Sequence, residues 1–152
     1  VIGAGGGGRA VCYALTQEGA TDIRLVNRTR ERAERLAEEL DGPITVYPWS
    51  DRHDLLDVVT MAVNVTSQGM QGEAALDINL DKLPGDAIAT DIIYIPLETP
   101  FLAAARARGN RTLNGVGMLL HQGPPAWVRW FGIEPEVSAE LRAEMEDSIG
   151  GG

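Results

Sequence analysis

At 152 residues the chain has room for one ordinary domain with a real core, and its 44% hydrophobic and 23% charged content is that of a globular protein. Acids number 22 against 13 bases, for a net charge of -9, which argues against a general nucleic-acid-binding surface but leaves room for a local anion site. Cys12 is the only cysteine, so there is no internal disulfide framework, and a reducing, cytoplasmic setting is expected. No apolar run approaches the ~20 residues of a membrane span, and no signal peptide is expected.

The chain opens on Val1-Ile2-Gly3-Ala4-Gly5-Gly6-Gly7-Gly8, which fits G-x-G-x-x-G at Gly3, Gly5 and Gly8. Gly3 permits a tight strand-to-helix turn, Gly5 lets the backbone approach a pyrophosphate, and Gly8 allows close packing of the helix on the sheet. The N–H groups and positive dipole end of that helix would face the phosphates. A strand normally runs about five to six residues, yet only Val1 and Ile2 precede the turn. With no initiator Met, the chain is expected to be an excerpt that starts inside its first strand. Residues 9–18 carry Ala10, Val11, Ala14 and Leu15 at helical spacing and end at Gly19, a C-cap. Cys12, on this helix, is expected to be a small buried apolar residue.

Ile23-Arg24-Leu25-Val26 reads as a strand. A helix follows over 30–40, with Ala33, Leu36, Ala37 and Leu40 on one face and Thr29 as its N-cap; Asp41-Gly42-Pro43 breaks it. Ile44–Tyr47 is the next strand, ended by Pro48, and 51–58 a short helix. Met61–Val65 is a nearly continuous apolar run, as in a strand buried on both faces of a parallel sheet. A loop-rich segment with Gly69, Gly72, Pro84 and Gly85 leads to the strand Ala87–Ile93. Thr99-Pro100 opens a helix to Arg108, stopped by Gly109. Thr112-Leu113 is a last short strand, residues 117–131 and 138–148 read as two helices, and Gly150–Gly152 as a frayed, disordered tail.

Strand and helix alternate over the first ~110 residues, which predicts an α/β, Rossmann-like doubly wound parallel sheet with helices on both faces. The expected division is a dinucleotide-binding domain over 1–115, C-terminal helices over 116–149 and the tail over 150–152. A ligand should sit beyond the C-terminal strand ends. Those ends are Gly3–Gly8, Asn27–Thr29, Asn64–Ser67 and Asp91–Tyr94, all polar or glycine-rich. In an NAD-binding fold the second strand ends in a carboxylate that binds the ribose 2′-OH. Here Asn27-Arg28-Thr29 stands there, with Arg32 one turn on. A carboxylate would repel a 2′-phosphate, whereas a guanidinium can hold it by bidentate, charge-assisted hydrogen bonds. NADP is therefore the expected cofactor. Arg30 is read instead as a solvated helix charge pairing with the neighbouring glutamates.

The chain resembles the shikimate dehydrogenases from Val1 to about Pro135. The matching stretches are Gly3–Ala10, Asn27-Arg28-Thr29, Asn64-Val65-Thr66-Ser67-Gln68-Gly69-Met70, Asp91–Tyr94 through Thr99-Pro100-Phe101-Leu102, and Asn114-Gly115-Val116-Gly117-Met118-Leu119 with Gln122. The resemblance implies reversible NADPH-dependent reduction of 3-dehydroshikimate to shikimate in aromatic amino-acid biosynthesis. It implies that Gly3, Ala4, Gly5, Gly6 and Gly7 hold the pyrophosphate, and that Asn27, Arg28, Thr29 and Arg32 hold the adenosine 2′-phosphate. Asn64, Thr66 and Ser67 would lie along the ribose and phosphate path, with Ile92 and Gly115 at the nicotinamide end. Tyr94 would bind the substrate carboxylate and Gln122 its ring hydroxyls. The chain departs from the family at Asn114, commonly Asp, and at Gly7-Gly8, more usually Ala or Ser.

Reduction of a ketone leaves an alkoxide that needs a general acid. In the family a Lys–Asp pair in a separate N-terminal substrate domain performs that task. Lys82, the only lysine, matches no part of that motif and reads as a surface charge. No catalytic residue and no metal site are therefore expected in these residues, and the chain alone should be inactive. His121 is left unassigned, His53 is read as solvated, and Trp49, Trp127 and Trp130 as packing residues. The C-terminal helices are expected to pack on the missing domain, with Met118, Leu119, Trp127 and Phe131 exposed without it. The expected partners are the small-molecule substrate and a monomeric or homodimeric assembly, without nucleic acid or membrane. The alternatives are a quinate-using relative, another two-domain NADP oxidoreductase such as methylenetetrahydrofolate dehydrogenase or glutamyl-tRNA reductase, and a non-catalytic nucleotide-sensing module.

Overall fold

The computed structural model describes residues 1–150. Two groups of short parallel strands form the sheet. β1 (Ile23–Val26) pairs with β2 (Ile44–Tyr47), and β4 (Ile88–Asp91) lies between β3 (Met61–Asn64) and β5 (Arg111–Leu113). Ile2 joins the groups, bridging Val26 on one side and Asn64 on the other, parallel to both. Gly3 N donates to Val26 O at 2.8 Å, Ile2 N to Val63 O at 2.8 Å, and Val65 N to Ile2 O at 2.9 Å. The spatial order is thus β2, β1, the Ile2 segment, β3, β4, β5. This is the doubly wound arrangement, with its switch point at the glycine turn. Gly3, at φ +113°, turns the chain away from the sheet directly after Ile2.

Alternation along the strands builds a core on each face of the sheet. Ile23 and Leu25 meet Cys12 of α1 (Gly6–Gln17) and Ala33 and Leu36 of α2 (Arg30–Leu40). Ile2, Val26, Ala62 and Ala89 meet Phe101, Leu102 and Ala105 of α3 (Pro100–Ala107), and Leu56 of the 3-10 helix Trp49–Leu56. A fully buried aliphatic such as Leu25, 0% exposed, contributes about 1.5–3 kcal/mol. Cys12 is equally buried, and desolvation raises its thiol pKa.

Several boundaries differ from expectation. α1 starts at Gly6 rather than Arg9, because the three glycines continue the turn straight into the helix. Thr29 stands at the N-cap of α2 but its side chain makes no capping bond. Thr99 does cap α3, accepting from Leu102 N at 3.3 Å. The short helix expected over 51–58 is the 3-10 helix already named. The helix expected over 117–131 is two, α4 (Val116–His121) and α5 (Gly123–Phe131), which meet at Gln122. Pro124 and Pro125 cannot donate back into a preceding turn, so the helix restarts there. α6 (Ala139–Gly150) takes in Gly150, expected in the tail, while Gly151 and Gly152 lie outside the described residues.

Trp49 packs against the core, under the Arg52 guanidinium at 4.8 Å. Trp130, read as a packing residue, is 73% exposed on α5, and Trp127, expected to be exposed without the missing domain, is 49% exposed. Met118 and Phe131 are also exposed, as anticipated, whereas Leu119 is half-buried. Among the described residues no helix is long and apolar enough to cross a membrane.

Candidate functional site

The glycine turn separates positions the protein needs from positions it leaves open. A Cβ on Gly3 would stand 2.8 Å from Thr66 Cγ2, in a backbone conformation that side chains disfavour. A Cβ on Gly8 would meet Gly3 O at 2.4 Å, and one on Gly7 would meet Ile92 Cδ1 at 2.9 Å. A Cβ on Gly5 or Gly6 would meet nothing within 4 Å. Gly5, the N-cap of α1, has an ordinary extended backbone, φ -92° and ψ -162°, so no strain of the fold calls for glycine there. The unused space lies in front of the free amides of a helix N-terminus, the geometry that receives phosphate oxygens.

Asn27 braces this turn from β1. Its Oδ1 accepts from Ala4 N at 3.0 Å, and its Nδ2 donates to Thr29 O at 2.7 Å. Arg28 follows, exposed and without an ion pair among the described residues, whereas Arg30 pairs with Glu34 at 2.7 Å as expected for a helix charge. Between the N-terminus of α1 and α2 runs a groove of about 350 Å³, lined by Gly5, Gly6, Arg9, Arg32, Arg35 and Glu39 among others. Arg9 and Glu39 form an ion pair across it. Arg32 and Arg35 have no carboxylate partner among the described residues. In a chain of net charge -9 this is a local basic site.

At the ends of β3 and β4 lies a buried polar network. Asn64 is 0% exposed. Its Nδ2 donates to Gln68 O at 3.1 Å and Asp91 Oδ2 at 3.0 Å, while its Oδ1 accepts from Thr66 N at 3.1 Å and Thr66 Oγ1 at 2.8 Å. Both donors and both lone pairs are therefore engaged within the protein. Thr66, half-buried, also accepts from Gln68 N at 3.1 Å, whereas Ser67 is exposed. Asp91, 1% exposed, accepts additionally from Thr99 Oγ1 at 2.8 Å and Ile93 N at 3.0 Å. Burial raises its pKa, against the pull of these three hydrogen bonds.

A second groove, of about 370 Å³ and mostly apolar, opens beside this network, with Thr66, Ser67, Met70, Ile92, Tyr94 and Met118 in its lining. Ile92 reaches it because Gly115 lets two backbones touch: a Cβ there would lie 2.0 Å from Ile92 O. Gln122 is exposed at the C-cap of α4 and is not among the residues that line this groove. Asn114 is occupied locally, its Oδ1 accepting from Val116 N at 3.3 Å and an Arg142 guanidinium N–H at 3.2 Å. Lys82 lies apart from both grooves, paired with Asp54 at 2.9 Å on the surface. The reading of residue types missed the inward turn of Asn64, and the roles of Arg9, Arg35 and Glu39 in shaping the basic groove. The three-residue spacing of Arg32 and Arg35, one face of a helix, was the available signal for the latter.

Comparison with known proteins agrees with this arrangement. The family described as shikimate / quinate 5-dehydrogenase matches residues 1–92. The chain is 50% identical over 143 residues to a shikimate dehydrogenase (NADP(+)) of Paramagnetospirillum magneticum, covering 94% of this chain and 52% of that protein. Among solved structures, a quinate dehydrogenase from Corynebacterium glutamicum in complex with NAD superposes with TM-score 0.85 at 29% identity, covering 99% of this chain and 53% of that one. A shikimate 5-dehydrogenase from Thermus thermophilus in complex with NADP(H) and shikimate gives TM-score 0.77 at 33% identity, covering 98% and 52%. The chain spans about half the length of the curated relatives it matches. With the family matched over residues 1–92 of its 152, the chain belongs to the shikimate/quinate 5-dehydrogenase family.

Proposed function

We propose that the chain supplies the cofactor side of an NADPH-dependent dehydrogenase that interconverts 3-dehydroshikimate and shikimate, within an NADP-binding domain over 1–115. The observation that carries this reading is the split within the glycine turn. Gly3 and Gly8 are required by the fold, whereas Gly5 and Gly6 front empty space at a helix N-terminus. That space fits a pyrophosphate, with the amides of Gly5, Gly6 and Gly7 as donors. Bound there, a nicotinamide dinucleotide supplies hydride chemistry. The protein's part is to hold and orient it.

Arg28 and Arg32, exposed and without carboxylate partners among the described residues, hold the 2′-phosphate of NADP by charge-assisted hydrogen bonds. Asn27 and Asn64 act as positioning residues: the first fixes the turn through Ala4 N, and the second fixes the loop that carries Thr66 and Ser67. Ile92, seated on Gly115, forms the apolar wall of the second groove, and Tyr94 presents its hydroxyl to the substrate carboxylate. Among the described residues no Lys, His, Asp or Glu lines that groove, and we assign the proton donor for the alkoxide to the part of the relatives' length that this chain does not span.

Quinate is the second reading for the substrate, favoured by the 0.85 TM-score to a quinate dehydrogenase. That structure and the shikimate enzyme bind different dinucleotides, so cofactor choice is the sharper test. Titration of the protein with NADP+ and NAD+ is expected to show a preference for NADP+. Arg28→Ala is expected to weaken NADP+ by about tenfold, or about 1.4 kcal/mol, with little change for NAD+. Equal affinity for the two nucleotides in the unsubstituted protein would refute the assignment.

A further inference from the structure

The basic groove contains more charge than the strand-end arginines account for. Arg32, Arg35 and Glu39 lie on one stripe of α2, at spacings of three and four residues, facing Gly5, Gly6 and Arg9 of α1. Their charges are not equivalent. Glu39 is neutralised by Arg9 across the groove, with both side chains roughly half exposed. Arg35 is four residues from Glu39 on the same helix, the usual distance for an intrahelical pair, yet it is Arg9 that takes the carboxylate. Arg35 is left as a second uncompensated guanidinium beside Arg32, while Arg9 is held by a group an incoming anion would have to displace.

We propose that Arg35 and the Arg9–Glu39 pair set the degree of preference for a phosphorylated over an unphosphorylated dinucleotide. Arg35 contributes attraction to the added phosphate, and Glu39 restrains it by occupying Arg9 and by placing a negative charge in the groove. This rests on the dinucleotide reading above but concerns residues that reading does not use. The physical case is one of sign. The added phosphate is a dianion near neutral pH, so each guanidinium able to reach it adds attraction and each carboxylate in the same groove subtracts. An unphosphorylated ribose carries no charge there, so NAD+ feels these side chains only through the pyrophosphate that both nucleotides share, and the ratio of the two affinities isolates the added phosphate. Because the groove is open to solvent, screening limits each effect to severalfold and makes it fall with added salt.

The test is calorimetric titration of the protein with NADP+ and with NAD+, for the parent and for Arg35→Gln, Arg9→Gln and Glu39→Gln. Glu39→Gln is expected to tighten NADP+ by about threefold to fivefold, and Arg35→Gln to weaken it by about fivefold, NAD+ staying within twofold in both. Arg9→Gln is expected to weaken NADP+, since it leaves Glu39 uncompensated beside the phosphate. Both effects should shrink between low and high salt. NAD+ affinity doubles as the check that each variant is folded. A parent that prefers NADP+ while Arg35→Gln and Glu39→Gln leave the ratio unchanged overturns this inference alone. Variants that shift both nucleotides equally do the same. A parent that binds neither nucleotide, or binds both alike, overturns this inference together with the cofactor assignment.

Discussion

Gly5 and Gly8 are three residues apart and carry the same side chain, a hydrogen, yet alanine at the two positions should fail in opposite ways. At Gly8 the new methyl would stand 2.4 Å from Gly3 O and 3.1 Å from Gly3 C, both backbone atoms, where ordinary contact begins at 3.4 Å. Gly3 is tied to the sheet through its own N–H, which donates to Val26 O at 2.8 Å, so α1 must shift off the sheet. Overpacking of this kind costs about 1–3 kcal/mol, and the gain in helix propensity returns at most about 1 kcal/mol. A net loss of about 1–2 kcal/mol corresponds to a fall in Tm of about 2–8 °C for a chain of this size. At Gly5 the methyl meets no protein atom within 4 Å and the backbone is in an ordinary extended region. The poorer N-cap offsets the lower entropy of the unfolded chain, leaving stability within about 0.5 kcal/mol of the parent. The methyl does, however, project into the space assigned to the pyrophosphate, and NADP+ affinity should fall by at least about tenfold. Urea unfolding and nucleotide titration of both variants give four numbers. Unchanged NADP+ affinity in Gly5→Ala, or parental stability in Gly8→Ala, would refute the division of the turn into structural and ligand-facing glycines.

Asp91→Ala removes the acceptor for Asn64 Nδ2, Thr99 Oγ1 and Ile93 N at once. Three buried donors losing one partner predicts a loss of about 2–5 kcal/mol in urea unfolding, and a loss below about 0.5 kcal/mol would contradict the network. The same carboxyl gives a pH signature. Burial raises its pKa above the ordinary 3.8, so the folded state holds the proton more tightly than the unfolded chain. Its contribution to stability is full below 3.8 and declines as pH rises through the folded-state pKa. The stability gap between parent and Asp91→Ala should therefore narrow on raising the pH from that value, and a gap that widens would reverse the assignment of desolvation as the dominant cause. Cys12, 0% exposed and with its thiol pKa raised by burial, should react with a thiol reagent only at the rate of unfolding. Rapid labelling of the native chain would show that α1 does not pack as described.

The periodic elements were legible because burial imposes them. Leu25 and Val26 face opposite cores, and the apolar run of β3 reflects a strand covered on both sides. The break at Gln122 was not read because the helical apolar pattern runs on from Met118 to Phe131. Only the pair Pro124-Pro125 marks the restart, and proline at a first helical turn looks the same as proline tolerated near a helix start. The exposure of Trp130 was not legible either, since an indole's size says that it tends to pack but not against what.

The strand ends singled out by sequence lie together along one edge of the sheet, whereas what each of their residues does was legible only in part, and the reason is a single local device. Asn64 at the end of β3, Asp91 at the end of β4 and Asn114 directly after β5 each accept, through a side-chain oxygen, from the backbone N–H two residues on. Such turns let the chain leave the sheet without stranding the amides that the ladder no longer pairs. A parallel sheet ends all its strands on one edge, so the residues that make these turns gather where a ligand binds. Asparagine and aspartate at strand ends therefore mark the site from sequence, but the residue type does not reveal whether its hydrogen bonds point outward or back into the loop. In Asn64 all four point inward, and the apolar groove is lined instead by what the turns display, among them Thr66, Ser67, Ile92 and Tyr94. Asn27 follows the same logic across strands, its carbonyl held by Ala4 N rather than by its own loop, which is how the end of β1 fixes the glycine turn beside the arginines.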